Sequence, residues 1–244
     1  MANIKIAIIN ESTVLTNAQV NSAVPALQTQ IHRDFAPAWG IDADLTFIPK
    51  GQNPPADMWW IGIFDNSDQA GALGYHDLTN EGLPIGKVFA GTDIQYGSSW
   101  TVTASHELLE MLADPDINLT VIIQDSSGNM KLYAYEVCDA VENDSLGYKI
   151  NDVLVSDFVY PSWFEQFWSA GSTQFDYCKK VSQPTQLLPG GYIGYMSITS
   201  NTGWQQLTAD NNAMRYEARA RVGSRRERRR TPKSQWLRSV VKRK

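Results

Sequence analysis

The sequence predicts an α+β fold in which a mixed sheet with its helices comes first and short β-hairpins follow. Three observations lead to this prediction. In the first half of the chain, short β-branched runs alternate with a longer helical pattern. One further helical segment begins near Ser98 or Ser99 and ends before Pro115. In the second half, short apolar runs are separated by turn-forming residues.

The chain is predicted to begin in the order strand, helix, strand, strand. The β-branched run IKIAIIN, residues 4 to 10, is typical of a buried strand. Apolar residues then recur every three or four positions from 16 to about 35, which predicts a helix with Asn17 as its N-cap. The segments ADLTFIP (43 to 49) and MWWIGIFD (58 to 65) follow as strands, separated by the turn GQNPPAD.

A glycine-rich segment, residues 70 to 92, connects these strands to the second helix. It contains His76 and a strand predicted at KVFAG, residues 87 to 91. Beyond the helix, TVIIQDSSGNMKLYAYEV (120 to 137) has the form of a hairpin, with SSGN between two apolar runs. A second hairpin is predicted around 147 to 159, and short strands in GGYIGYMSIT and GWQQLTA follow it.

Residues 1 to 212 are predicted to form one domain, with the sheet and helices in about 1 to 116 and the hairpins in about 117 to 212. At 244 residues, 43% of them hydrophobic, the chain can bury one sizeable core. No apolar run approaches the roughly 20 residues of a membrane span, and no secretory signal is evident, so the expected compartment is the cytoplasm. Two cysteines are too few for a disulfide framework.

Residues 213 to 244 are predicted to form a basic tail. From Arg215 onward there are thirteen lysines and arginines against two glutamates, a net charge of +11, so the rest of the chain carries −16. Such a composition is typical of a solvated, disordered extension. Two alternatives stay open: residues 215 to 244 bind nucleic acid or another polyanion, or Trp236 and its apolar neighbours contact an anionic surface or a partner protein.

The stretch SHELLEMLADPD, residues 105 to 116, carries the strongest chemical signal. On a helix, residues four apart lie about 40° apart around the axis and ~6 Å apart along it, so His106 and Glu110 can point at one ion. Glu107 lies about 100° from His106, where it can take a proton from a water beside that ion. The pattern predicts a divalent-metal site with His106 and Glu110 as ligands and Glu107 as general base.

A third ligand must come from outside this pair, because two residues of one helix cannot complete a tetrahedral site. Asp116, ten residues after His106, is one candidate. The acids of YEVCDAVE, chiefly Glu136 and Asp139, are the preferred source, because the turn after the strand can bring both to one point. Zinc is the expected ion, although a carboxylate-rich site also suits manganese, iron or calcium.

The other histidines and the cysteines are predicted to serve packing. His32 and His76 are interpreted as surface or packing residues, although His76 lies on the glycine-rich segment that could run beside the helix. Cys138 and Cys178 are interpreted as small buried apolar residues, because neither has a histidine next to it in sequence. The alternative for the whole motif is a polar helix face and a solvated acidic loop.

The order of elements and the HELLE helix resemble the N-terminal half of zincin metallopeptidases. In that family an extended edge segment beside the helix binds the substrate backbone. Here the corresponding segment is ALGYHDLT, residues 72 to 79. The resemblance therefore implies that Gly74, Tyr75 and His76 form a substrate-binding edge.

A longer pattern, SHELLEMLADP followed by YEVCDAVE, resembles uncharacterised bacterial proteins with the signature SHExxExxxDP and ExCD. That resemblance covers about residues 3 to 208. Residues 105 to 140 are more weakly similar to the EXORDIUM-like, phosphate-induced proteins.

These resemblances imply a zincin-like mixed sheet with an active-site helix and a zinc-dependent site. They imply His106 and Glu110 as ligands, Glu136 or Asp139 as the residue that completes the site, and Glu107 as the base. Glu110 stands where zincins have their second histidine. The expected function is a metallopeptidase-like hydrolase acting on a peptide or protein, and the alternative is a catalytically inactive, metal-stapled binding or structural protein whose basic tail binds a polyanion.

Overall fold

The computed structural model describes residues 4–69, 72–79, 81–124, 127–199 and 203–209. Helices and sheets both contribute substantially to these ranges, which confirms the predicted α+β class. None of the helices in these ranges has the length and apolar composition that a membrane-spanning helix requires.

The first sheet has five strands, and one edge strand is antiparallel to its neighbour. The strands are β1 (Ile4–Asn10), β2 (Ala43–Ile48), β3 (Trp59–Phe64), β4 (Gly74–Leu78) and β5 (Pro84–Phe89). They lie in the order β2-β1-β3-β5-β4, and all neighbours are parallel except β4 and β5. The central strands are largely buried, as expected for a parallel sheet whose faces are covered. The glycine-rich segment contributes both the edge strand β4 and its neighbour β5.

The helical run between β1 and β2 is present, but it is not a uniform α-helix. It consists of α1 (Asn17–Thr29), a π-helical segment (Gln30–Phe35) and α2 (Ala36–Trp39). Gly40, whose φ of 70° lies in the left-handed region, ends the run.

The N-cap of α1 is Thr16, so the predicted N-cap Asn17 is wrong. The Thr16 hydroxyl accepts a hydrogen bond from the backbone N–H of Gln19 at 3.2 Å, and the Gln19 side chain accepts one from the backbone N–H of Thr16 at 2.9 Å. The Asn17 side chain instead accepts a hydrogen bond from the side chain of Asn10 at 2.8 Å. Asn17 therefore connects the start of the helix to the end of β1.

Two helices follow β5, namely α3 (Ala90–Tyr96) and α4 (Trp100–Ala113). α4 packs against β4 and β5, and all its residues from 102 to 113 are buried. The predicted end of this helix is confirmed. The carboxylate of Asp114 accepts hydrogen bonds from two backbone N–H groups of the following turn, each at 3.0 Å, and so braces the helix exit.

The second half of the chain contains the predicted hairpins. Its strands are β6 (Thr120–Gln124), β7 (Met130–Ala134), β8 (Tyr148–Ile150), β9 (Val153–Val155), β10 (Tyr192–Ser197) and β11 (Trp204–Thr208). Strands β6, β7, β10 and β11 form an antiparallel sheet in the order β11-β10-β7-β6, and β8 pairs with β9 alone.

One continuous hydrophobic core joins the two halves of the described chain. It includes Phe35 of the π-helical segment, Leu108 of α4 and residues of the C-terminal half such as Phe158, Trp163 and Ile193, all fully buried. The helix that carries the HELLE motif therefore packs within this core. The predicted basic tail, residues 213 to 244, lies outside the described residues.

Candidate metal centre

The two outer residues of HELLE meet on one face of α4. His106 Nε2 lies 3.1 Å from Glu110 Oε2, as their spacing of one helical turn leads us to expect. His106 is 7% exposed and Glu110 is 3% exposed. Charged side chains are seldom buried to this extent unless they are paired or bind a metal.

The acidic segment after β7, residues 135 to 142, closes one side of this pair. Asp139 Oδ1 lies 3.2 Å from His106 Nε2, and the backbone N–H of Cys138 donates a hydrogen bond to Glu110 Oε1 at 3.1 Å. Glu136 and Asp139 are 6% and 5% exposed. The acidic segment is therefore folded into the protein, in contrast to the alternative of a solvated loop.

The edge strand β4 closes the opposite side through His76. The Nδ1 atom of His76 lies 3.5 Å from Glu107 Oε2 and 3.6 Å from Glu110 Oε2, and its Nε2 atom lies 3.6 Å from Glu136 Oε2. The side chain is only 7% exposed. Of the two interpretations of His76, as a surface residue or as a packing residue, the first is wrong, because its imidazole lies against carboxylates of α4.

Close contact between β4 and α4 depends on Gly74. A Cβ atom on Gly74 would lie 2.7 Å from Glu107 Oε1 and 2.7 Å from the Thr103 methyl group. The Tyr75 hydroxyl, by contrast, donates a hydrogen bond to the carboxylate of Asp68, at 2.9 Å from one of its oxygens. Of the predicted edge residues, Gly74 and His76 therefore contact the residues of the HELLE helix, whereas Tyr75 is engaged elsewhere.

The electrostatic field at the centre favours positive charge. Burial opposes protonation of His106, but the charge of Glu110 and hydrogen bonds with Asp139 and Glu110 raise the pKa of His106 well above its usual value. Burial also opposes ionisation of Glu110, yet the charge of His106 and its hydrogen bond lower the pKa of Glu110 to about 2. Burial and the charge of Glu110 raise the pKa of Asp139 to about 6. A field that holds an imidazolium ion also attracts a divalent cation.

Two groups of side chains at this centre could hold a metal ion. One consists of His106, Glu110 and Cys138, and the other of His76, Glu110 and Glu136, with the ligand atoms of each group within 4.8 Å of one another. Ligands about 2.0–2.1 Å from a tetrahedral ion lie roughly 3.3–3.4 Å from each other. The separations of 3.1 Å between His106 and Glu110 and of 3.6 Å between His76 and Glu110 fall near this value.

The donor set fits a divalent cation for a second reason. The buried Nε2 atom of His76 has no hydrogen-bond partner among the described residues, although Glu136 lies 3.6 Å away. A buried imidazole nitrogen without such a partner is costly unless a ligand satisfies it. The nitrogen, oxygen and sulfur donors also match those that zinc accepts.

The remaining predicted residues are placed as follows. Asp116 is exposed in the turn after α4 and belongs to neither group. His32 lies apart and pairs with Asp42, with its Nδ1 atom 2.5 Å from the carboxylate. Cys138 and Cys178 are free thiols, and Cys138 is buried as predicted.

His76 and Cys138 are thus the residues whose place at the centre the sequence interpretation missed. The available signals were the position of His76 on an edge segment beside the helix, and that of Cys138 between two predicted ligands.

The fold and this cluster define an α+β protein with a buried histidine–carboxylate centre that could hold a divalent cation. Comparison with known proteins finds no match for this chain, whether among protein-family models, curated proteins or solved structures.

Proposed function

We propose that this protein is a zincin-like, metal-dependent hydrolase that cleaves peptide bonds. The observation that carries the proposal is the convergence of the HELLE helix, the acidic segment after β7 and the edge strand β4 on one buried centre. Glu110 from the helix and Asp139 from the acidic segment each place a carboxylate oxygen close to His106 Nε2, at 3.1 and 3.2 Å.

The topology around α4 supports the zincin-like part of the proposal. A parallel sheet ends in the antiparallel edge strand β4, and α4 lies directly against β4 and β5. The outer edge of β4 offers backbone N–H and C=O groups to an extended peptide, which would add to the sheet as a further strand. Such a peptide would pass beside His76 and Glu107.

The residues would divide the work as follows. His106 and Glu110 would hold the cation, and Asp139, Glu136 or Cys138 would complete its coordination. When bound, a divalent cation polarises a substrate carbonyl and makes a coordinated water more acidic.

Glu107 is placed to move the proton in this reaction. Its carboxylate is held between His76, at 3.5 Å from Nδ1, and the backbone of β4 at Gly74. From there it would accept a proton from the attacking water and return it to the departing amine. Its 5% exposure limits competition from bulk water.

The test combines metal analysis with peptide cleavage. We expect the purified protein to contain stoichiometric metal by mass spectrometry and His106→Ala to lose it. Glu107→Gln should keep the metal but lower the cleavage rate of a peptide library by roughly 10²–10⁴-fold. Glu165→Gln, at an exposed carboxylate, is the matched control and should behave like the parent. A protein without metal under metal-replete conditions would refute the proposal.

The alternative is a metal-stapled binding or structural protein on the same fold. It is favoured by the burial of the centre, since structural metal sites are closed and catalytic sites keep an open position. In that case chelation would lower the thermal stability sharply, while Glu107→Gln would match the parent in every cleavage assay.

In this alternative the basic tail, residues 215 to 244, would bind a polyanion. Truncation after Met214 should then shift elution from heparin to lower salt, because fewer cations contact the polyanion. Unchanged elution of the truncated chain would exclude this role for the tail.

A further inference from the structure

We propose that the centre holds two divalent cations side by side, with the carboxylate of Glu110 shared between them. The inference rests on the metal binding proposed above and adds a second cation subsite to it. The first subsite is formed by His106, Glu110 and Cys138, and the second by His76, Glu110 and Glu136.

The geometry separates the two subsites at Glu110. This residue is the only one that both groups contain. Its Oε2 atom lies 3.1 Å from His106 Nε2 and 3.6 Å from His76 Nδ1. Neither group contains both histidines, so one histidine serves each subsite, and the carboxylate of Glu110 between them acts as the bridge.

Each subsite also has a carboxylate of its own. Asp139 Oδ1 lies 3.2 Å from His106 Nε2, and Glu136 Oε2 lies 3.6 Å from His76 Nε2. The two carboxylates come from the same short segment after β7. Each subsite can therefore combine one histidine, one separate carboxylate and the shared carboxylate, as in protein sites where two metals lie about 3.5–4 Å apart.

The buried charge indicates two ions rather than one. Glu107, Glu110, Glu136 and Asp139 are each at most 6% exposed, and together they carry four negative charges when ionised. The imidazoles are neutral when they coordinate a metal. One divalent ion would leave two buried negative charges, whereas two ions balance all four. Since an uncompensated buried charge destabilises a fold, the doubly occupied centre is the electrostatically balanced one.

His76 supplies an independent observation. Its side chain is 7% exposed, and its Nε2 atom has no hydrogen-bond partner among the described residues. The HELLE motif does not require a histidine on β4, because His106 and Glu110 come from α4 itself. A buried imidazole aimed at Glu136 from another element is what a second subsite needs.

The experiment uses the full chain, stripped by a chelator and then titrated with Zn²⁺ under native mass spectrometry. We expect two zinc ions per chain for the parent and one for each of His76→Asn and His106→Asn. His32→Asn is the matched control and should retain two, because His32 pairs with Asp42 away from the centre. With Mn²⁺, electron paramagnetic resonance of the parent should show a spin-coupled pair, and His76→Asn should show isolated ions.

The outcomes separate this inference from the proposed function. One zinc ion in the parent that His76→Asn retains would refute the second subsite and leave the single-metal hydrolase standing. If the parent binds one zinc ion and both histidine variants bind none, a single ion is held by both histidines, and the second subsite is again refuted. Two uncoupled Mn²⁺ ions would refute the bridge, and no bound metal at all would refute both proposals. If His106→Asn does not fold, as judged by circular dichroism, the parent and His76→Asn still decide between these outcomes.

Discussion

Replacement of Asp157 by asparagine should change how the stability of the protein depends on pH. Asp157 and Asp176 are both fully buried. One carboxylate oxygen of Asp157 accepts hydrogen bonds from the backbone N–H groups of Phe158 and Cys178, at 2.8 and 3.1 Å. Burial, together with the hydrogen bond and the charge of Asp176, raises the pKa of Asp157 to about 8. The folded protein therefore keeps a proton on Asp157 at neutral pH.

The sign and size of the effect follow from this proton. An unfolded aspartate loses its proton near pH 3.9. Between about pH 4 and pH 8 the folded state binds more protons than the unfolded state, so the free energy of unfolding falls as the pH rises. Each pH unit changes the free energy of unfolding by at most about 1.4 kcal/mol, which gives an upper limit of ~4 kcal/mol for the change from pH 5 to pH 8. We therefore expect a change of about 2–4 kcal/mol.

The assay is urea denaturation of the parent and of Asp157→Asn at several pH values. Both proteins are measured in buffers that contain the same chelator. Asparagine keeps the oxygen that accepts the two backbone hydrogen bonds, and its N–H₂ group can donate to Asp176 as the protonated acid does. The variant should match the parent within about 1 kcal/mol near pH 5 and exceed it by roughly 2–4 kcal/mol near pH 9. Parallel stability curves for the two proteins across this range would show that Asp157 is ionised in the folded state, and the reasoning would fail.

Three further predictions concern the centre and its supports. Gly74→Ala should lower the free energy of unfolding by about 1–3 kcal/mol and impair peptide cleavage, because its Cβ would press on Glu107. Gly194→Ala is the control, because its Cβ would meet only Ala134, at 3.5 Å; an equal loss of stability in both variants would contradict the prediction. Chelation should lower the melting temperature by on the order of 10 °C, as expected for the removal of an ion present at about 1,000 times its Kd. An unchanged melting temperature would argue against bound metal. Asp114→Ala should cost about 2–4 kcal/mol in urea yet leave the metal content unchanged, whereas a loss of metal would make Asp114 a ligand.

Local patterns in the sequence were sufficient to predict most of the elements. The strand β1 coincides with the predicted run from 4 to 10, and residues 127 to 129 of the predicted turn lie between β6 and β7 as expected. The helix end at Asp114 was also predicted, since a residue before proline resists helical geometry. These features depend on residues that are close in the chain, and that is why a single sequence reveals them.

The differences arise where distant residues compete for the same group. Asn17 was a reasonable N-cap by residue type, but its side chain is taken by Asn10 at the end of β1, and Thr16 caps the helix instead. The predicted strand from 87 to 91 in fact begins at Pro84, and its last two residues belong to α3. Such contacts depend on how strands and helices are arranged in space.

The candidate centre divides in the same way. Helical spacing was enough to bring His106 and Glu110 together, because one turn of helix fixes their relation. The position of His76 depends on the strand order β2-β1-β3-β5-β4, which no local pattern reveals. Sequence reasoning therefore found the part of the centre on α4 and, in Glu136 and Asp139, the part that follows β7, but it underestimated the part that comes from the edge strand.

The composition of α4 gives the remaining argument for a functional centre. A helix that is buried on all sides is normally apolar, because each buried charge must be compensated. α4 nevertheless buries His106, Glu107 and Glu110 within five consecutive positions. Apolar residues of similar volume at these positions would avoid the cost of burying charge, which commonly makes the fold more stable. Bound cations would offset that cost, and the chemistry of Glu107 beside them would explain why the fold tolerates it.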